Sequence, residues 1–381
     1  MKILAGFSYS RYPGYDVKSR TEAWAYRLRE AGFDVDLFCL TLDPPGDSLI
    51  WHELDARWRR GDKKLLSMYK DLAIKLKEYD VFVNLTGINL HPKFVEKLDV
   101  FTVFGCFDDP ESSELLSKPV AAAYDLCMVG NIAEVENYLS WGAKHAYYWP
   151  IGFRREEYDP NLTKDQIFYG KRDIDISLVC DYSTYRKERL DKFSLAFPNG
   201  AYYGNRWPNG FLPEENKIPL YQNSKIGINF HLSTGPINFR TFVLPANGVM
   251  QICDNKKNLG KIFKLNKEAV GFDTVEEAIE LCQYYLDNDH ERKEIAVAGW
   301  ERVTRDYNEI KVFNLMVDSA TKLYKNKKKN KENVLDYLKS KKIDRYSELN
   351  EFLEYLNKDI QRTNRRVKNQ LRKLSKINSN K

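Results

Sequence analysis

The chain begins with an apolar run over residues 1–7, which predicts a first strand, and a polar, hydroxyl-rich loop between Gly6 and Gly14 follows. Residues 20–31 place Trp24, Leu28 and Ala31 at helical spacing and stop at Gly32, after which residues 34–40 read as a strand. Over residues 62–78, Leu65, Tyr69, Leu72 and Leu76 share one face of a 3.6-residue repeat, which predicts an amphipathic helix. Further strands are predicted at 81–85, 100–107, 126–129 and 146–149. Apolar strands alternating with amphipathic helices call for βαβ units around a buried parallel sheet.

A stretch rich in Pro, Gly and charge ends this first half, and a second alternation begins at Ile174. Its strands are predicted at 174–180, 201–203, 226–232, 249–253 and 269–272, and its helices at 185–197, 219–224, 237–246, 275–287 and 291–306. The expected organisation is a domain over residues 1–150, a linker over 151–171, a second domain over 172–309, a closing helix over 310–326 and a basic, partly helical tail over 327–381. Two doubly wound halves joined by one linker form a cleft, and open α/β sheets bind ligands at the carboxyl ends of their strands.

Composition narrows the picture. With 43% hydrophobic and 30% charged residues the chain is of globular type. No apolar run approaches the roughly 18–20 residues of a membrane-spanning helix. The first residues lack the pattern of a secretory signal, so a cytoplasmic protein is expected. Six scattered cysteines without a CxxC pair predict free thiols. His52, His91, His145 and His290 show no metal-ligand spacing, so no metal site is expected. The net charge of +6 is unevenly placed: residues 325–381 hold 18 Lys and Arg against 7 Asp and Glu, a surplus of 11, which leaves −5 on residues 1–324. Electrostatic attraction to a polyanion therefore belongs to the tail.

The most informative segment is KIGINFHLSTGPINFRTFVLPANGVMQICD, residues 225–254. A strand ends near His231, a loop with Ser233, Thr234 and Gly235 follows, and Pro236 suits the opening of a helix. Free N–H groups at such a start, around Gly235 and Asn238, can hold a phosphate, and Arg240 supplies permanent charge. An ordinary βαβ unit whose Arg240 forms a salt bridge fits the same pattern. In the first half, FTVFGCFDDP places Asp108 and Asp109 at the carboxyl end of an apolar strand. Adjacent carboxylates in a cleft raise one another's pKa, and one of them can act as general base for an acceptor hydroxyl. Asp before Pro-Glu-Ser is equally a helix N-cap. Tyr147, Tyr148, Trp149 and Trp207 can stack on sugar rings, although such aromatics more often pack cores and hinges.

Residues 225–308 resemble the C-terminal half of the CgeB-like glycosyltransferases, the spore-maturation-protein group of GT-B, family-4-like enzymes. The resemblance is carried by KIGINFH, NFRTF, PANGVMQIC and EEAIELCQYYLDNDHERKEIAVAGWERV, with ISLVCDYSTYRKERL and YYGNRW at the start of the same domain. It implies an α/β GT-B fold, two Rossmann-like domains facing a cleft, here with a basic helical C-terminal extension. It further implies that the second domain binds a UDP- or GDP-linked sugar, with Arg240 neutralising the diphosphate, Arg186 assisting, and His231 facing the sugar or phosphate. Transfer to a hydroxyl acceptor without metal or other cofactor follows, with a lean toward retention of configuration. The family usually carries a glutamate three residues after the arginine; this sequence has Val243, and Asp254 is a candidate replacement. A nucleotide-sugar epimerase of the same fold, or a non-catalytic glycan- or nucleic-acid-binding protein, fits the same features. For the acceptor, the tail favours a polyanion such as modified DNA or an envelope polymer. A solvated tail or an arm joining a homodimer suits that composition too.

Overall fold

Strands form where the sequence offers short apolar runs, and every strand pairing among the described residues is parallel. The computed structural model of the protein describes residues 1–8, 16–42, 49–85, 89–325, 327 and 333–341. In the first half, strands β1 (Lys2–Phe7), β2 (Asp34–Cys39), β3 (Val81–Asn84), β4 (Phe101–Cys106), β5 (Leu126–Val129) and β6 (Ala146–Tyr148) alternate with helices α1 (Val17–Glu30), α2 (Trp51–Arg59), α3 (Lys63–Lys75), α4 (Pro92–Val95) and α5 (Val135–Ser140). The second half holds β7 (Ile174–Val179), β8 (Ala201–Tyr203), β9 (Ser224–Asn229), β10 (Met250–Cys253) and β11 (Val270–Gly271). Its helices are α6 (Lys164–Tyr169), α7 (Lys187–Ala196), α8 (Glu214–Gln222), α9 (Arg240–Ala246), α10 (Lys256–Leu259), α11 (Val275–Asp287) and α12 (Asp289–Asp306). Two more, α13 (Glu309–Tyr324) and α14 (Val334–Ser340), follow.

The first sheet runs β2-β1-β3-β4-β5-β6 and the second β11-β10-β9-β7-β8. Counted within each half, both share the order 2-1-3-4-5, so chain direction switches between β1 and β3 and again between β7 and β9. The two halves are therefore Rossmann-like domains of one plan, and together they make the GT-B architecture.

Local chemistry explains the element ends. Asp16, Asp62, Thr274 and Asn308 cap α1, α3, α11 and α13 by accepting from backbone N–H groups in the first turn. Helix α9 ends at Asn247, and Gly248 then takes the left-handed φ of +68° that a side chain disfavours, before β10 begins. The expected linker is packed structure: Phe153 is buried, and α6 lies against α12.

Helix α13 follows the second domain yet packs on the first. Val312, Phe313, Met316 and Ala320 share a core with Ile3, Ala5, Val81 and Val103, and Trp149 Nε1 donates to the Val312 carbonyl at 2.8 Å. Arg27 of α1 grips Glu309 through two N–H groups, one at 2.8 Å. Helix α14 then lies on α3, and the Lys341 ammonium sits 4.6 Å from the Trp58 ring. The tail beyond Lys341 and most of the Gly6–Gly14 loop lie outside the described residues.

Two element expectations change. Helix α9 begins at Arg240 rather than at Pro236, and residues 232–239 form a loop. Helix α8 begins at Glu214 and runs through Pro219 instead of starting there.

Candidate active site

Direction-switch points place the carboxyl ends of β7 and β9 where an open parallel sheet binds its ligand. Three arginines converge there. Arg186, just before α7, is buried and donates to the carbonyls of Phe230 (3.0 Å) and Asp181 (2.8 Å), while its Nε is buried without a partner. Arg189, one turn further, donates to the His231 carbonyl at 3.0 Å and to Asp254 at 3.3 Å. Arg240 opens α9, half-buried, and gives Nε to Asn229 Oδ1 (3.1 Å) and Nη1 to the Val179 carbonyl (3.0 Å). Burial, followed by the charges of Arg240 and Arg189, pushes the Arg186 guanidinium below its ordinary range. Asp254 is the one carboxylate ion-paired with these arginines among the described residues, so the cluster holds a surplus of two positive charges. Arg240 makes no salt bridge among the described residues.

His231 stands just beyond the end of β9 as expected, but its ring is turned inward. It is 3% exposed; Nδ1 meets Asp254 Oδ1 at 2.6 Å, and Nε2 meets Thr241 Oγ1 at 3.2 Å. The second Asp254 oxygen accepts the His231 backbone N–H at 2.8 Å. Burial pushes the imidazole pKa down, against the pull of Asp254, which keeps the ring neutral. Neither ring nitrogen is free to face a sugar in this arrangement, and Asp254 serves the imidazole rather than an open subsite. Val243 is buried inside α9 and offers no carboxylate. His231, Cys253 and Asp254 bring candidate metal-ligand atoms within 4.8 Å of one another. The three neighbouring guanidiniums oppose a dication there.

Opposite lies the loop after β4. Asp108 is exposed, and its carboxyl is pushed up by crowding protein atoms and by the Asp109 charge. Asp109 is 1% exposed and accepts a hydrogen bond from the Tyr138 hydroxyl. Neither aspartate caps an α-helix, because residues 110–120 form successive turns. Trp149 and Trp207 are buried with their ring N–H groups on carbonyls, so both are packing residues.

The domains meet across the cleft at this point. Asn131, buried after β5, donates to the Asp109 carbonyl (3.0 Å) and to Ser233 Oγ (2.9 Å), and Thr234 Oγ1 donates to Glu134 at 2.9 Å. Gly235 must be glycine for this fit, since a Cβ there would stand 2.0 Å from Asn131 Oδ1. Arg189, Asn131, Asn229, Thr241 and Tyr138 were not read as site residues from sequence. The one available signal was Asn229, a polar residue closing an otherwise apolar strand.

The Asp109 environment makes a pH prediction. Burial raises its carboxyl in the folded state, opposed by the Tyr138 hydrogen bond, so the unfolded chain loses this proton first as pH rises. Stability then falls as pH climbs from the ordinary carboxylate range through the folded pKa. Asp109→Asn, which keeps an acceptor for Tyr138, is expected to unfold at a higher temperature than wild type at pH 7, with the gap closing near pH 4. Melting curves at the two pH values check this, and a gap that widens in acid contradicts it.

Two parallel-sheet Rossmann-like domains facing one another are the GT-B fold. Residues 186–316 match the family described as glycosyl transferase-like, a span from the first arginine of the cluster into α13. No curated protein matches the chain significantly. Among solved structures, the chain is similar to the Anabaena protein HepE in complex with UDP-glucose (13% identity, 85% of this chain and 100% of that one, TM-score 0.55). It is also similar to sucrose-phosphate synthase from Thermosynechococcus elongatus (14%, 86% and 100%, 0.56). A third similarity is to an α-glucosyltransferase in complex with UDP and a 13-mer DNA (12%, 84% and 100%, 0.53). At such identities these likenesses establish the fold.

Proposed function

We propose that the protein is a glycosyltransferase that moves a sugar from a UDP- or GDP-linked donor to a hydroxyl acceptor. The observation that carries this reading is the cluster of Arg186, Arg189 and Arg240 at the carboxyl ends of β7 and β9. Its surplus of two positive charges matches the two negative charges of a sugar diphosphate. As the glycosidic bond breaks, charge grows on the leaving diphosphate, and preset guanidiniums stabilise it without a metal ion. Asp108, open on the facing domain, is the base for the acceptor hydroxyl. The glycosyl transferase-like match over residues 186–316 supports this reading, as do the HepE–UDP-glucose and α-glucosyltransferase–UDP–DNA likenesses. The sequence resemblance to CgeB-like enzymes points the same way.

The acceptor is proposed to be polyanionic, on the strength of the tail: residues 361–381 hold eight basic and no acidic residue. One experiment tests both parts. The protein is incubated with UDP- and GDP-sugars, with and without DNA or an anionic envelope polymer, and free nucleotide and product are followed. Nucleotide release with sugar on the polymer is expected. A changed sugar still attached to nucleotide would identify an epimerase, and no nucleotide-dependent stabilisation or turnover would end the enzyme reading. Deleting residues 361–381 is expected to leave donor-only hydrolysis intact while weakening polymer binding and flattening its salt dependence. Equal polymer affinity at low and high salt, with or without those residues, would end the polyanion part.

A further inference from the structure

Asn229 closes β9 with its side chain fully buried. An amide there offers two N–H donors and two acceptor lone pairs, and all four are used. Nδ2 donates to Asn238 Oδ1 (3.1 Å) and to Thr241 Oγ1 (3.3 Å). Oδ1 accepts from Asn238 Nδ2 (2.9 Å) and from Arg240 Nε (3.1 Å). Two amides thus bond face to face across the mouth of the 232–239 loop, and the same Asn229 oxygen fixes the plane of the Arg240 guanidinium. Thr241, held by the other end of the amide, reaches His231 Nε2 at 3.2 Å. One buried side chain is therefore the junction between the arginine arm and the imidazole arm of the site.

We infer that Asn229 is a positioning residue for the donor: it presets the Arg240 guanidinium before the nucleotide arrives. The inference rests on the donor-site reading above. The physical case is the cost of disorder. A free arginine side chain loses rotamer freedom when it grips a phosphate, and its planar fork binds well only in one orientation. A guanidinium already locked by Asn229 Oδ1 and the Val179 carbonyl has lost that freedom at folding, so its remaining N–H groups meet the diphosphate without a new ordering cost. Only an amide fits this place. A carboxylate would oppose Asn238 Oδ1 and add negative charge beside the diphosphate, and an aliphatic residue would take hydrogen bonds from Asn238, Thr241 and Arg240.

The test is a double-mutant cycle on UDP affinity, read by calorimetry, with the unfolding temperature of each ligand-free protein measured alongside. Asn229→Ser removes the amide without adding charge. Arg240→Lys keeps the charge, so binding stays measurable, but loses the Nε–H that meets Asn229. Asn229→Ser is expected to weaken UDP about tenfold or more in the wild-type background and less than about twofold in the Arg240→Lys background. Should Asn229→Ser fail to fold, Asn238→Ala takes the amide pair apart from the half-buried side and is expected to show the same dependence on background. Wild-type affinity in these variants, or an equal loss in both backgrounds, would overturn the inference while leaving the donor site standing. No UDP or GDP binding by the wild-type protein, or none of it sensitive to Arg240, would instead overturn the donor site itself.

Discussion

Asp108→Asn is expected to lower turnover by roughly 10²- to 10⁴-fold, the usual contribution of a positioned general base, with UDP affinity unchanged and no loss of unfolding temperature. The split follows from where the side chain stands. Asp108 is exposed beyond the carboxyl end of β4, so neither the core nor a helix cap depends on it. The arginine cluster belongs to the other domain, so donor affinity does not depend on it either. Its raised carboxyl pKa, set by crowding and by the Asp109 charge, makes it a stronger base than an ordinary aspartate. The base must be ionised, so wild-type activity is expected to fall on the acid side, and that limb is expected to vanish in the variant. Turnover measured across pH at saturating donor checks both points. Wild-type turnover in Asp108→Asn would move the base elsewhere.

Arg240→Ala is expected to weaken UDP by roughly 10- to 150-fold, the equivalent of about 1.5–3 kcal/mol for a lost charge-assisted contact. Of its five N–H groups, three are spent on Asn229 Oδ1, the Val179 carbonyl and the Phe230 carbonyl, and two remain for a ligand. The truncation also strips donors from two backbone carbonyls at the strand ends, so a lower unfolding temperature is expected beside the affinity loss. Calorimetric titration at fixed ionic strength separates the two effects. Unchanged nucleotide affinity would remove Arg240 from the site.

The fold was largely legible because its signals are local. Continuous apolar runs gave the parallel strands, and helices such as α3 and α11 announced themselves through a 3.6-residue repeat and a capping Asp62 or Thr274. Proline misled twice for one reason. Pro236 and Pro219 both suit a first helical turn, yet one sits in a loop and the other inside α8, where neighbouring turns outweigh one missing hydrogen bond. Helix α2 was not anticipated, because its apolar contacts, Leu54 and Trp58, are too few to mark a face among four charged residues.

For the candidate site, the sequence indicated which residues lie near one another but not how they are oriented. Arg240, Arg186, His231 and Asp254 do gather at the strand ends, as sequence order in a parallel sheet requires. Their orientations depend on partners far along the chain: Arg240 on Val179, 61 residues away, and Asn131 on Ser233, 102 residues away. No spacing rule encodes such pairs. Asp108 and Asp109 illustrate the same limit, since adjacent residues point to opposite fates, one open to solvent and one buried against Tyr138.

The crossing of α13 back onto the first domain has a consequence for biosynthesis. Ile3, Ala5, Val81 and Val103 are sealed by Val312, Phe313 and Met316, which leave the ribosome only after the whole second domain has been made. At roughly 5–20 residues per second, the nascent first domain waits on the order of 10–35 s with that face of its sheet uncovered. A domain that is early in sequence is thus late to finish, and the emerging chain depends on α13, or on a chaperone standing in for it, to keep that apolar face from pairing with a neighbour.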